Sequence, residues 1–356
     1  MSIITSRPAL RWGAPVAVLV AVVGGGAAAR TLTASADPSL PPRTVGQLLS
    51  DLRNARLDGG SGTVVQRADL GLPAIPGTDG QGSSNLQALG SGSHTLRVWY
   101  AGPDHARVAL LGTLGESDVV RSGRDVWVWD SQHNAASHAV LPTDESPASH
   151  PEAAPSPLAG TPQEAARAAL AAIDPTTIVT AGSATRVAGR PVYELVLTPR
   201  DSGSLVGRVT LAVDAERHVP LRVRVYPAGS NSAAFETAFT QVSFARPDDA
   251  QFRFAPPPGI VVKEEGTRAD PAATTPTMPR PTVAGKGWTS VLIGKLPAAS
   301  DDRSAAGTPL DRLPRVSGAW GSGRLLTGRL FSVLFTDDGR VLAGAVRPER
   351  LYAAAG

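Results

Sequence analysis

Six histidines, His94, His105, His133, His138, His150 and His218, are the residues of this chain best suited to proton transfer or metal ligation. None stands at the i, i+4 helical spacing or among carboxylates in a pattern that builds a metal site. Adjacent acids occur at Asp144–Glu145, Asp248–Asp249, Asp301–Asp302 and Asp337–Asp338. Neighbouring carboxylates point apart on a strand, and each pair sits among turn-forming residues, so these read as solvated turns. There is no G-x-S-x-G elbow, no G-x-x-x-x-G-K-[ST] phosphate loop and no G-x-G-x-x-G after a strand. Gly285-Lys286-Gly287 lacks the upstream glycine and the following hydroxyl. Cysteine is absent, which removes disulfides, thiolate metal sites, thiol nucleophiles and lipidation of an N-terminal cysteine. The expectation is a non-enzymatic protein without metal or cofactor. Arg222 and Arg224 are the side chains that could meet an anionic lipid headgroup or an acidic partner, or else lie on a solvated outer face.

A formal net charge of +3 over 356 residues, with no basic run, does not make a nucleic-acid surface. Thirty-seven glycines and 31 prolines suit many short strands and turns rather than long helices. The length predicts one large domain and one small one.

Arg7 and Arg11 precede an apolar run from Trp12 to Ala29, and Ala34-Ser35-Ala36 offers a small-residue cleavage site before Asp37. Residues 1–36 therefore read as a secretory signal peptide, or as an uncleaved anchor at the lower length limit for spanning. Either reading exports the rest of the chain, to the extracytoplasmic face of the membrane or beyond.

The elements that must position any site follow in order. Thr44 and Gln47 have the spacing of a capping box, and Leu48, Leu49, Leu52 and Ala55 recur at helical spacing, which predicts a helix over about 45–57. Thr63 to Gln66 opens the first strand. Arg67 to Ser93, a Gly-, Pro- and Ser-rich connection carrying Leu70, Leu72 and Ile75, is either a surface loop or a lid at a cavity mouth. Strands follow in SHTLRVWYAG, HARVALLG, ESDVVRSG and DVWVWD and near His138 to Leu141, with Leu96, Val98, Tyr100, Val108 and Leu110 toward one face. DVWVWD is apolar on both faces, as a covered strand or an aromatic cavity rim would be. Thr161-Pro162-Gln163-Glu164 caps a second helix, with Ala166, Ala169, Leu170 and Ile173 on one face.

From Arg190 to Phe254 come four or five antiparallel strands with strict alternation. Tyr193, Leu195 and Leu197, then Val209, Leu211 and Val213, then Leu221, Val223 and Val225 share one face. Lys263 to Gly285 has no apolar period and reads as part of a linker over 261–285. Residues 286–356 read as a small β module with a hairpin turn at Asp338-Gly339.

The run GRPVYELVLTP, VTLAVDAERHVPLRVRVYP and FETAFTQVSFARPDDAQFRFAPPPG resembles the second half of the LolA-like lipoprotein and lipid carriers, including their RseB/MucB sensor branch. The matching pieces are Asp214, Pro220, Val242 to Phe244, Phe252 to Phe254 and Pro257 to Gly259. The C-terminal module is weakly similar to that of the RseB-like proteins. The resemblance implies a mainly β, α+β fold over residues 37–260: a strongly curved antiparallel sheet forming a half-open barrel around an apolar cavity closed by helices. The alternating residues named above would then line the cavity, with Leu70, Leu72, Ile75, Leu170 and Ile173 at its lid or mouth. The implied ligand is a lipid or an acylated protein. The alternative is a regulatory protein that docks on a membrane-anchored anti-sigma factor.

Overall fold

Alternation of apolar and polar side chains becomes a sheet wherever neighbouring strands can bury one face together. The computed structural model describes residues 39–72, 89, 91–113, 115–141, 161–265, 281–295 and 309–356. The leader with its cleavage site, Ile75 and the middle of the connection, 266–280, lie outside them. The described strands of the large sheet are β1 (Gly60–Ala68), β2 (Gly92–Tyr100), β3 (His105–Leu111), β4 (Glu116–Ser122), β5 (Asp125–Asp130), β6 (Ala135–Val140), β7 (Thr177–Ala181), β8 (Thr185–Val187), β9 (Arg190–Pro199), β10 (Val206–Asp214), β11 (Pro220–Pro227), β12 (Phe235–Ser243) and β13 (Val262–Glu265). They run in the order β13-β6-β5-β4-β3-β2-β1-β12-β11-β10-β9-β7, with β8 also on β9.

The sheet is open: β13 and β7 stand at opposite ends of the strand order and do not pair with each other. One expectation is corrected here, because the sheet is not wholly antiparallel: β13 runs parallel to β6, with Val262 opposite Ala136 and Glu264 opposite His138. The first residues of the expected linker are thus an edge strand.

Two helices lie on the sheet. In α1 (Val45–Asn54) the Thr44 hydroxyl accepts from Gln47 N–H at 3.2 Å and the Gln47 amide oxygen accepts from Thr44 N–H at 2.9 Å, a complete capping box. Leu48 and Leu52 are its buried side chains, and it packs on β7 and β9. In α2 (Pro162–Ala171) the Thr161 hydroxyl accepts from Glu164 N–H, and proline occupies the first turn, where its missing N–H costs nothing. Its buried residues Ala166 and Ala169 are small, which lets the helix lie close over β11 and β12.

The opposite, convex face is covered where β12 leads onward. A 3-10 turn at Asp249–Phe252 buries Phe252 edge-on to His105, and Phe254 packs on Trp127 and Trp129 with ring centres 5.3 and 6.1 Å apart.

The C-terminal residues form a second, antiparallel sheet: β14 (Thr282–Ala284), β15 (Val291–Lys295), β16 (Arg315–Gly318), β17 (Gly321–Thr327), β18 (Ser332–Thr336) and β19 (Arg340–Gly344), ordered β14-β15-β19-β18-β17-β16. Gly339, at φ +84°, supplies the left-handed residue of the β18–β19 hairpin. A helix, α3 (Pro348–Ala355), packs on this sheet and closes a core of Val291, Leu334, Leu342 and Leu351. The small sheet docks on the large one. Leu205 N–H donates to Ala345 C=O at 2.7 Å, Arg329 N–H donates to Leu70 C=O at 2.7 Å, and the Trp288 indole donates to the Thr177 hydroxyl at 2.8 Å.

Candidate functional site

Strand register places thirteen of the fourteen expected cavity residues on one face of the sheet, the face on which the helices pack; Leu221 falls at the register shift opposite Ala212 and Val213 and has no paired residue. Val98 pairs with Val108 and Leu96 with Leu110; Leu195, Leu211 and Val223 are aligned across β9, β10 and β11, as are Leu197, Val209 and Val225. What lies over that face differs along the sheet. Leu195, Leu197, Val209, Leu211, Val213 and Val223 form one buried core with Leu48, Leu52, Ala166 and Ala169 of the two helices. Tyr193, Val225, Leu170 and Ile173 pack around it, and Leu211 is 0% exposed. Leu96, Leu110 and Leu221 belong to a second core with Val64, Leu89 and Phe239.

Between these packed regions a cleft of ≈ 960 Å³ opens along α1, α2 and the β2–β3 hairpin. Val98, Tyr100, Ala106 and Val108 supply one wall, where Val98 faces Val108 and Tyr100 faces Ala106. Phe239, Val242, Phe244, Val219 and Pro220 supply a second, and Leu52, Ala55, Leu57, Ala166 and Leu170 come from the helices and the residues just after α1. The Phe239 ring reaches β1 because residue 62 is glycine. A Cβ there would lie 2.7 Å from the ring and 2.4 Å from Gln241 C=O, at the bulge between Thr63 and Val64.

The apolar wall continues outward. Register aligns Val98, Val108, Val119 and Val128 in one row across β2 to β5, rising from 7% exposure at Val108 to 37% at Val128. The valine row thus leads from the cleft wall toward β5, where it is most exposed.

Polar groups at the cleft are mostly cationic: Arg53, Arg56, Arg107, Arg167 and Arg246 against Asp58 and Glu164. Arg107 is neutralised by Asp118, at 2.9 Å, and by Glu116, whose own carboxyl is pushed up by burial and by its hydrogen bond to Asp118. Arg246 has Asp249 at 3.5 Å. No cluster of three or more acids or histidines able to hold a metal is found among the described residues.

Of the expected lining, Val98, Tyr100, Val108 and Leu170 stand at the cleft, and the other strand residues of the list and Ile173 lie in or beside the packed cores. Leu70 and Leu72 are half-buried, and the Leu70 carbonyl receives Arg329 of the small sheet. Sequence reasoning did not place Phe239, Val242 and Phe244 in the lining, although Phe235, Thr237 and Phe239 carry the period-two signal. Arg222 and Arg224 lie on the convex face, paired with Glu194 at 3.4 Å and Glu236 at 3.1 Å, away from the cleft.

Fold and site together define a protein built on an open curved sheet with an apolar cleft between its concave face and two helices. In structure the chain is similar to MucB and to LolA-superfamily proteins. The crystal structure of MucB in complex with MucA(peri) has a TM-score of 0.43 at 18% identity, covering 87% of this chain and 96% of that one. The MucA/MucB complex of Pseudomonas aeruginosa gives 0.42 at 18% identity, with 87% and 95% covered. A LolA-superfamily protein from Nitrosomonas europaea gives 0.23 at 12% identity, with 60% and 99% covered. No family model and no curated protein matches the sequence. At these TM-scores the functional reading rests on the cleft itself.

Proposed function

We propose that this protein is a non-enzymatic, extracytoplasmic lipid-binding protein that holds an acyl chain, free or attached to a protein, in the cleft between its curved sheet and the helices α1 and α2. The observation that carries this is the cleft: ≈ 960 Å³, walled by Val98, Val108, Phe239, Val242 and Leu170 and continued by the valine row. That volume is at the upper end of the roughly 300–1,000 Å³ of small-molecule sites. Burying about ten methylenes at about 0.8 kcal/mol each yields about 8 kcal/mol before ordering costs, which is the scale of micromolar binding. Binding of this kind makes and breaks no covalent bond. Placement outside the cytoplasm is supported by the leader-like residues 1–36. Extraction of the purified, exported protein and mass spectrometry of the extract is expected to return acyl lipids in near-stoichiometric amount. An empty extract together with no uptake of a fluorescent fatty acid would sink the reading.

A second reading, docking to a membrane-anchored anti-sigma factor, is favoured by one observation on the small sheet. Val283 and Leu292 are cross-strand partners there and are 64% and 48% exposed. A pull-down from membranes separates the two readings, since a regulator retains one membrane protein and a carrier many acylated ones.

A further inference from the structure

We infer that the cleft selects amphiphiles whose headgroup is an anion, a carboxylate or a phosphate, and that Arg53, Arg56 and Arg167 are its headgroup-binding residues. The inference rests on the lipid-binding reading above and names the substrate class of that site. All three line the cleft and all three are exposed. They sit on the two elements that wall it: Arg53 in the last turn of α1, Arg56 just after it, and Arg167 in the middle of α2.

Other arginines nearby are already used. Arg43 pairs with Asp51 at 2.5 Å, Arg107 with Asp118, Arg190 with Asp214 and Arg222 with Glu194. Among the described residues no carboxylate lies within ion-pair distance of Arg53, Arg56 or Arg167, and Arg56 makes only a 3.2 Å hydrogen bond to Ala55 C=O. The cleft lining thus carries more arginine than carboxylate, since only Asp58 and Glu164 stand with them there, and a bound anion would add a charge-assisted contact that salt weakens. Guanidinium is suited to that anion, because its planar fork meets two oxygens of a carboxylate or phosphate at once. The apolar wall takes the chain and the arginines take the head, so the two halves of an amphiphile meet two different parts of one cleft.

The test uses the full chain and probes matched in chain length: a fluorescent fatty acid and its methyl ester, then vesicles of phosphatidylglycerol and of phosphatidylcholine, each titrated at low and physiological salt. Wild-type protein is expected to bind the acid at least about tenfold more tightly than the ester, the scale of one charge-assisted contact. Phosphatidylglycerol should be preferred to phosphatidylcholine in the same sense. In R53Q/R56Q/R167Q that preference is expected to fall to within about twofold while the ester still binds and the melting temperature holds. Equal binding of acid and ester by wild type overturns the headgroup assignment and leaves the lipid reading standing; binding of neither probe overturns both. Inorganic phosphate carries charge without a chain and is expected not to displace the acid. Displacement by phosphate alone makes this a free-anion site and overturns the amphiphile assignment.

Discussion

The concave face has two halves made of the same kind of strand, and they end differently. Over β9 to β11 the inward residues meet Leu48 and Leu52 of α1 and Ala166 and Ala169 of α2, and Leu195, Leu197 and Leu211 are fully buried. Along β2 and β3 Leu96, Val108 and Leu110 are buried as well, and it is Val98, Tyr100 and Ala106, at the cleft, that stay half-buried. Alternation alone builds both halves. The difference lies in where the helices pack: among the described residues α1 packs mainly on β7 and β9 and α2 mainly on β11 and β12, with the cleft between them and β2 and β3. On the lipid-binding proposal, the function of this fold is located by where two short helices stop packing on the sheet.

The closed half should therefore behave as a core under mutation. Leu211→Ala removes a side chain that is 0% exposed and leaves a cavity, and is expected to lower stability by about 2–5 kcal/mol in chemical denaturation, with acyl binding retained at concentrations where the protein is folded. A loss below about 1 kcal/mol would show that this half is not tightly packed.

The turn that ends β10 on the same half gives the next largest effect. Although its burial opposes charge, the Asp214 carboxyl is held below the usual carboxylate range by Arg190 and by the backbone N–H groups of Arg217 and Glu216. Its side chain is fully buried while that of Arg190 is 27% exposed, so Asp214→Asn is expected to cost about 2–3 kcal/mol rather than the full value of a buried pair. A depressed carboxylate contributes stability above its unfolded value, near 3.8, and loses it as pH falls through the folded value. The difference between wild type and Asp214→Asn should accordingly shrink as pH is lowered from 7 toward 3. A constant difference would assign the effect to packing.

A smaller and more local effect is expected at the open end, where β13 adds to β6. His138 sets one ring nitrogen 2.9 Å from Asp125 and the other 2.9 Å from Glu264, and stacks on Trp127. Both contacts are satisfied together only by the doubly protonated ring. The hydrogen bond to Asp125 chiefly pushes its titration up from 6.5; burial opposes this, and Glu264 adds to the rise. A raised imidazole contributes fully below the unfolded value and loses its contribution as pH rises through the folded one. Amide exchange over Val262–Glu265 is expected to quicken between pH 6 and pH 9 in wild type beyond the intrinsic pH effect, and not to do so in His138→Gln. The same excess quickening in both proteins would free β13 from the histidine.

Much of this was readable in the chain, for physical reasons that also mark where reading stops. Alternation in Tyr193-Leu195-Leu197 and Leu221-Val223-Val225 announces a face because the side-chain period of a strand is two, and Thr44 with Gln47 announces a helix start because the cap is local. Which part of the face is covered is a long-range property, so the same pattern served for residues now divided between cleft and core. The parallel pairing of β13 was hidden because Val262–Glu265 carries no alternation and its partner strand begins more than a hundred residues earlier. The closing helix α3 did leave a local signal, proline at its first turn with Glu349 following, but it sits directly behind the hairpin strands and reads as their tail. Arg53 and Arg167, about a hundred residues apart in sequence, become neighbours of one cleft only through the fold.

The contrast between the halves reduces to one substitution on the open side. Val98→Trp puts a ring into space that the account assigns to ligand, so uptake of a fluorescent fatty acid by the full chain, titrated alongside thermal melting, tests it directly. The account predicts a stability change within about 1 kcal/mol and at least a tenfold loss of probe affinity. Destabilisation on the scale of Leu211→Ala, or unchanged binding in a protein that melts as wild type does, would contradict it.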